Sequence, residues 1–551
     1  MTFHGKIGLI DRQIMWNRLL AVVEEQAQVL QRTAFSTIVR ESGDLAAGVF
    51  DAQGRMLAQA VTGTPGHINS MALAVGHVIA HHPLHTMKPG DVFIHNDPWM
   101  GTGHTNDISV TTPCFAGDRL IGFAACNSHV LDIGGMADWT SSTDVFMEGL
   151  YLPIVRLVRE GVVDETLMAV IRANTRQPVE TIGDVYSLLN CNEIACRRLR
   201  EMMEEFSLTE LDELAEHIIE TSRQGVLKKI AALPKGTWRS EIALDGMDEP
   251  IVLKAALTIA DDGIHVDYSG SAPMTKRNFN VPFCYTLAYT SYALGVAVIK
   301  DIPNNAGSLA PRTAFAPEGS ILNALKPAAV ISRAQMGLML PDLIFGCLRQ
   351  AIPDRIPAEG AGVLWNINAR GPRTSPPVFG DEFRVGVVTT GGMGALPFRD
   401  GLSATGFPSG VRGGSVEIFE SMSTVTVWRK EYRQDSGGPG QHRGGLGQII
   451  EIENGIPETF IFGNNLERLR FPPRGAAGGH DGALGSVRAA TRDLTVKQLH
   501  DIAPGERLVL QSPGGGGMGD PRERDRAAVR RDLENELISA QAARDIYGYE
   551  P

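Results

Sequence analysis

HNDPWMGTGHTNDISVTTPCFAGDRLIGFAACNSH, residues 95–129, is the stretch that decides the fold. Two β-rich runs, DISVTTPCF and LIGFAACNS, flank the turn signal AGDR, so the segment predicts an antiparallel hairpin. Pairs counted outward from a turn centred on Gly117 and Asp118 put Asp107 opposite Ser128, next to His129. Opposed Cβ atoms in such a pair lie about 4.5–5.5 Å apart. His104 stands three residues before Asp107 in a glycine-containing loop, from which it folds back over the same strand end. Two imidazoles and a carboxylate then converge, the ligand types of an open divalent-metal site. No basic residue is expected against them. From the residues alone, a fourth ligand stays open among Asp44, Asp97 and His95.

Upstream, residues 11–34 place Ile14, Leu19, Val22, Val23, Leu30 and Ala34 near a 3.6-residue period, which predicts an opening amphipathic helix. LAAGVF, RMLAQAV and DVFIHND read as strands, with a helix over 68–82. Downstream, 143–232 is helical in pattern. Its charged stretch RRLREMMEEFSLTELDELAEHIIE reads as a solvated face, with Ser207 or Thr209 as a cap. EIALD, IVLKAALTIA and IHVDYSG read as strands, and Cys284–Ile299 as a buried helix too short and too polar to span a bilayer.

Glycine makes up 61 of 551 residues and crowds the last third, where tight turns and close backbone approaches are expected rather than linkers. The predicted architecture is a multilayer α/β (mixed α+β) protein. It divides into a metal-site region over 1–200, a middle α/β region over 201–380 and a glycine-rich β region over 381–522, followed by a C-terminal helix over 523–551.

With 51 Lys+Arg against 63 Asp+Glu the net charge is −12, which argues against nucleic acid as a partner. Six cysteines show no CxxC and no dense framework, so a reducing, cytoplasmic location is expected. Asp11 and Arg12 interrupt any apolar leader core, and no membrane association is expected. The single Gly-Lys, Gly5-Lys6, is followed by Ile7, so no P-loop exists. Gly514, Gly516 and Gly519 fit GxGxxG, but Asp520 would repel a pyrophosphate and too little chain follows for the ribose-binding strand. GxSxG is absent.

Eight ordered motifs resemble the B subunits of hydantoinases and oxoprolinases, a family related to caprolactamase and to acetone and acetophenone carboxylases. They are FSTIVRESGDLAAGVFDAQGRMLAQ, GTPGHINSM, GDVFIHNDPWMGTGHTNDISVTTPCF, VDYSGSAP, IPNNAGS, PEGSILNALKPAAV, QDSGGPGQHRGGLG and SPGGGGMGDP, over residues 10–522. The resemblance implies a large hydantoinase-B-like fold with metal ligands at Asp44 in SGD, His104 and Asp107 in GHTND, and His129 in NSH. The family commonly has THLPD where this chain has GHTND, so packing beside the metal differs.

Two histidines and two carboxylates suit zinc, with manganese the alternative. The implied role is the metal-containing subunit of an ATP-dependent cyclic-amide hydrolase, working in a hetero-oligomer with an ATP-binding A-type subunit. That partner phosphorylates a hydantoin, 5-oxoproline or lactam, and a metal hydroxide attacks the activated carbon. His95 or Asp97 moves the proton or orients the substrate, and His67 is a further pocket candidate. The rival roles are a subunit of an acetone-type carboxylase and a non-catalytic assembly subunit.

Overall fold

Asp107–Ala116 and Arg119–His129, the two runs of the expected hairpin, are strands β4 and β5 of a seven-stranded sheet. The others are β1 (Leu45–Phe50), β2 (Met56–Gln59), β3 (Val92–His95), β6 (Val155–Arg159) and β7 (Val162–Val163). The order is β2-β1-β5-β4-β3-β6-β7, with every neighbouring pair antiparallel. This structure is a computed structural model that describes residues 8–550 apart from 63, 137, 248, 363, 373–381, 456, 464, 465, 491 and 496. The reading of the N-terminal residues 1–7 lies outside them.

Strands β1 and β4, and most of β5, are buried on both faces, because helices cover the sheet on each side. Side chains alternate across it. Leu45, Ala47, Val49, Ile108, Val110, Ala124 and Cys126 enter one core with the helices α1 (Leu9–Thr33) and α3 (Pro178–Glu205). Ala46, Phe50, Phe93, Phe123 and Ala125 enter another with α2 (Pro65–His81). The period-2 rule therefore puts Asp107, Ser109, Asn127 and His129 on the α2 face.

Several local expectations shift. Ile14 lies on the outer side of α1, 46% exposed, and the inward stripe is Met15, Trp16, Leu19, Val22, Val23 and Leu30. The charged stretch after residue 196 is broken between α3 and α4 (Asp212–Ala231). Neither Ser207 nor Thr209 caps α4. Leu211 holds that position without a side-chain bond, and Ser207 takes a left-handed φ of 53°. The stretch also buries Leu199, Met202, Leu214 and Ile218, so it is more than a solvated face. The apolar run forms α5 (Phe283–Leu294) and a wider turn over Gly295–Ile299. Among the described residues no helix is long and apolar enough to cross a membrane. Cys114 of β4 and Cys196 of α3 form a disulfide that no sequence pattern announced.

The chain separates into two compact units, one of Met1–Gly236, Thr258–Val266 and Pro273–Arg333, the other of Thr237–Leu257, Asp267–Ala272 and Ala334–Pro551. The second unit packs a four-stranded sheet (Glu382–Thr389, Trp365–Pro372, Phe460–Gly463, Leu499–Ile502) and a five-stranded sheet (Val425–Tyr432, Gln448–Asn454, Arg507–Gln511, Ser486–Ala489, Arg492–Asp493) around one apolar core. Its glycine-rich segments bond to one another through the backbone, as in Gly445 N to Met393 O (2.8 Å), Gly515 N to Gly445 O (2.9 Å) and Gly438 N to Gly515 O (2.8 Å). They are close approaches, as expected. The tail after 522 is two short helices, Arg526–Glu534 and Ala540–Asp545, rather than one.

Candidate metal centre

Asp107 pairs directly with His129, not with Ser128. The first pairs out of the turn are Ala116 with Arg119 and Phe115 with Leu120. Ile121 is then left unopposed, and pairing resumes with Cys114 opposite Gly122. That bulge moves the register by one residue. Directly opposed side chains share a face, so the bulge is what turns His129 toward Asp107. His104 reaches the same point through a turn at Gly103, whose φ is +92° and where a Cβ would lie 2.9 Å from Arg333 Cδ.

His104, Asp107 and His129 bring one ligand atom each within 4.8 Å of one another, and this group could hold a metal ion. His104 Nε2 is 2.8 Å from Asp107 Oδ1, and His129 Nδ1 is 3.0 Å from the same oxygen. His104 Nδ1 lies 3.2 Å from the Ile331 carbonyl, to which it donates, so the proton assigned to that nitrogen leaves a lone pair on Nε2. Burial and then Arg333 pull the His104 pKa down to about 4, which keeps the ring neutral. Nε2 is buried without a hydrogen-bond partner and faces a carboxylate oxygen, an arrangement that a shared cation stabilises. Metal–ligand bonds of about 2.0–2.2 Å put neighbouring ligand atoms roughly 3 Å apart, the spacing found here. The residues fit a divalent ion, and the histidine-to-carbonyl bond is the usual outer support of such a ligand.

Asp107 divides its oxygens. While Oδ1 faces the two imidazoles, Oδ2 takes Thr102 Oγ1 (2.6 Å), Arg333 Nη2 (2.6 Å) and His67 Nε2 (2.7 Å). Burial would lift its pKa, but His104, His67 and Arg333 outweigh burial and hold the carboxyl well below the usual range. Arg333 is fixed in turn by Nε to Thr102 O (2.8 Å) and by stacking 4.4 Å over the Tyr285 ring. The expectation of no basic residue is thus corrected. Arg333 arrives from 226 residues away in sequence, a distance no local pattern reports.

Asp44 lies at the same strand end, where its carbonyl accepts from His129 N (3.2 Å). Its carboxylate is turned to Thr64 Oγ1 (2.6 Å) and stands 3.3 Å from His67 Nδ1, outside the group of three. His67, in the first turn of α2, bridges Asp44 and Asp107. Burial pulls its pKa down, but the two carboxylates outweigh burial and raise it. His95 is buried opposite Ser109 with both ring nitrogens unpartnered, and burial takes its pKa to about 4. Asp97 joins a different cluster, where it accepts from Tyr151 Oη and lies 3.4 Å from Lys326 Nζ.

Sequence reasoning missed Glu148 as well. Its Oε1 accepts from Val330 N (2.8 Å), Ile331 N (2.9 Å) and Ser142 Oγ (3.1 Å), so it holds the segment that supplies both the Ile331 carbonyl and Arg333. Thr102 lay within the GTGHTND motif, next to the chosen residues. Arg333 and Glu148 carried no such signal.

A three-layer unit around a polar strand end with a His-Asp-His group defines an α/β protein with a candidate metal centre. The hydantoinase B/oxoprolinase family model matches residues 9–521, and the chain belongs to that family. It is 27% identical to the caprolactamase subunit beta of Pseudomonas jessenii, over 95% of this chain and 93% of that one. Its fold matches the crystal structure of the ATP-dependent caprolactamase from Pseudomonas jessenii with a TM-score of 0.89 at 24% identity, covering 99% and 96% of the two chains. It matches nucleotide-free acetone carboxylase with a TM-score of 0.86 at 18% identity, covering 98% and 79%.

Proposed function

We propose that this chain is the metal-containing subunit of an ATP-dependent cyclic-amide hydrolase that works with an A-type partner. The observation that carries the reading is Asp107 Oδ1 shared between His104 and His129 while Oδ2 is locked by three donors. A family model over most of the chain and a relative named as a caprolactamase subunit support the substrate class and the division into subunits.

His104, Asp107 and His129 would hold the ion, and Asp44, whose Oδ1 is taken by Thr64 and His67, would offer its other carboxylate oxygen as the fourth ligand. Zinc suits that set best, and manganese is the alternative. Such an ion supplies Lewis acidity and takes the pKa of water from 15.7 to about 7. Arg333 helps to keep Asp107 ionised, and His104, kept neutral by burial, presents Nε2 because its Nδ1 donates to the Ile331 carbonyl. His67 holds a proton between Asp44 and Asp107 and fixes their separation. His95, a neutral imidazole with two unpartnered nitrogens on the same face, or Asp97, held by Tyr151 and Lys326, would orient the substrate or move the proton. ATP is bound by the partner, which phosphorylates the amide oxygen, and this agrees with the missing P-loop.

The test reconstitutes the complex with its A-type partner and follows ATP, bicarbonate dependence and oxygen from labelled water across hydantoins, 5-oxoproline, lactams and small ketones. A cyclic amide opened without bicarbonate, with label in the new carboxylate, is expected, and Asp107→Asn abolishes it. Strict bicarbonate dependence with a ketone and no ring opening would replace the hydrolase by the carboxylase reading.

A further inference from the structure

The IPNNAGS run, residues 302–308, takes no part in the metal centre, yet it builds a second polar seat around Arg312. That side chain is buried, with 5% of the residue exposed. Nε donates to Ser308 O (2.9 Å), Nη1 to Ser291 O (2.7 Å) and Nη2 to Asn304 Oδ1 (3.0 Å). Asn304 is itself pinned, because its Nδ2 donates to both Gln59 Oε1 (3.0 Å) and Asn69 Oδ1 (2.6 Å). All of these acceptors are neutral, and among the described residues no carboxylate pairs with Arg312. Burial alone takes its pKa down to about 10. Ser291 lies in the last turn of α5 and Ser308 in the single turn Ala306–Leu309, and their carbonyl dipoles offset part of the guanidinium charge but not all of it. A buried ion without a full counter-charge is destabilising, and an anion bound beside it relieves that cost.

Arg312 also lines a cavity of about 310 Å³, at the small end of the range of ligand pockets. Asn69, Ala72 and Leu73 of α2 form one wall, Leu287 and Ser291 of α5 another, and Met56 and Leu309 close it. The lining is apolar except at the fixed guanidinium, Asn69, Ser291 and Arg55, and the Arg55 charge is already met by Asp51 and Glu216. We propose that this cavity binds a small carboxylate with a short apolar body, its head against Arg312 and its chain along Ala72, Leu73 and Leu287. A bare phosphate would gain the charge but lose its hydration against leucine and alanine walls.

None of the cavity's lining residues belongs to the His104, Asp107 and His129 group. Calorimetric titration of the full chain with hexanoate, hexanamide and inorganic phosphate tests it. Hexanoate is expected to bind at least about ten-fold tighter than either of the others. Leu73→Glu, which adds an anion on a partly exposed wall, weakens hexanoate by about ten-fold or more with metal content unchanged, and Arg312→Gln does the same. Equal binding of hexanoate and hexanamide, tighter binding of phosphate, unaltered hexanoate affinity in Leu73→Glu, or no hexanoate binding by the wild type overturns the proposal.

Discussion

Asp107 and His129 oppose each other across β4 and β5 only because Ile121 bulges out of the ladder between them and the turn. Were Ile121 paired in an unbroken ladder, Asp107 would meet Ser128 and His129 would point to the other face of the sheet. Gly122 borders the bulge, and a Cβ there would lie 2.3 Å from Phe50 O of β1. Gly122→Val therefore forces β1 and β5 apart. It is expected to cost about 1–3 kcal/mol in urea unfolding and to lower metal content together with stability. A variant with unchanged metal content would show that the bulge does not set the site.

Arg333 acts with His104 and His67 to hold Asp107 ionised in the absence of a cation. Arg333→Met leaves a buried carboxylate short of a partner, at a cost of about 3–5 kcal/mol to the metal-free protein. Saturating zinc or manganese restores part of that loss, because the ion supplies the missing charge beside the same carboxylate. Unfolding curves with and without metal check this. An equal loss in both would separate Arg333 from the ion's seat.

Glu148 carries a pKa raised from its ordinary 4.5 to about 7, chiefly by burial. Between those values the folded chain holds a proton that the unfolded chain releases, so this group's contribution is fully present below 4.5 and is lost as pH rises toward 7. The slope is at most about 1.4 kcal/mol per pH unit. Glu148→Gln removes it. Stability measured across that window in wild type and variant should agree at the lower end, where both side chains are neutral, and separate as pH rises, and a variant with the wild-type slope would contradict the assignment.

The Cys114–Cys196 bond closes a sequence separation of 82 residues and ties β4 to α3. Peptide mapping without reductant should recover the linked pair. Reduction, or Cys114→Ser, is expected to lower stability by about 2–4 kcal/mol. Full recovery of free thiol at both positions from native protein would count against the bond.

What the sequence could show followed from periods and short spacings. The helix from Leu9 to Thr33, the hairpin arms, and the meeting of His104, Asp107 and His129 all lie within reach of local pattern. The bulge was hidden, since a one-residue slip changes no residue type and alters only which face His129 takes. Asp44 was chosen through family resemblance, and the geometry brings it to His67 rather than into the group of three. Arg333, Glu148 and the disulfide belong to tertiary structure. Their partners lie tens to hundreds of residues away, where periodicity carries no information.

Elemental analysis of the purified chain, before and after reconstitution with zinc and manganese, tests the central claim most directly. The account predicts about one divalent ion per wild-type chain and its loss in His104→Ala and in His129→Ala, with the fold retained in the partly exposed His129→Ala and some stability lost in His104→Ala, which empties a buried position. No stoichiometric metal in the reconstituted wild type, or full retention in both variants, would contradict it.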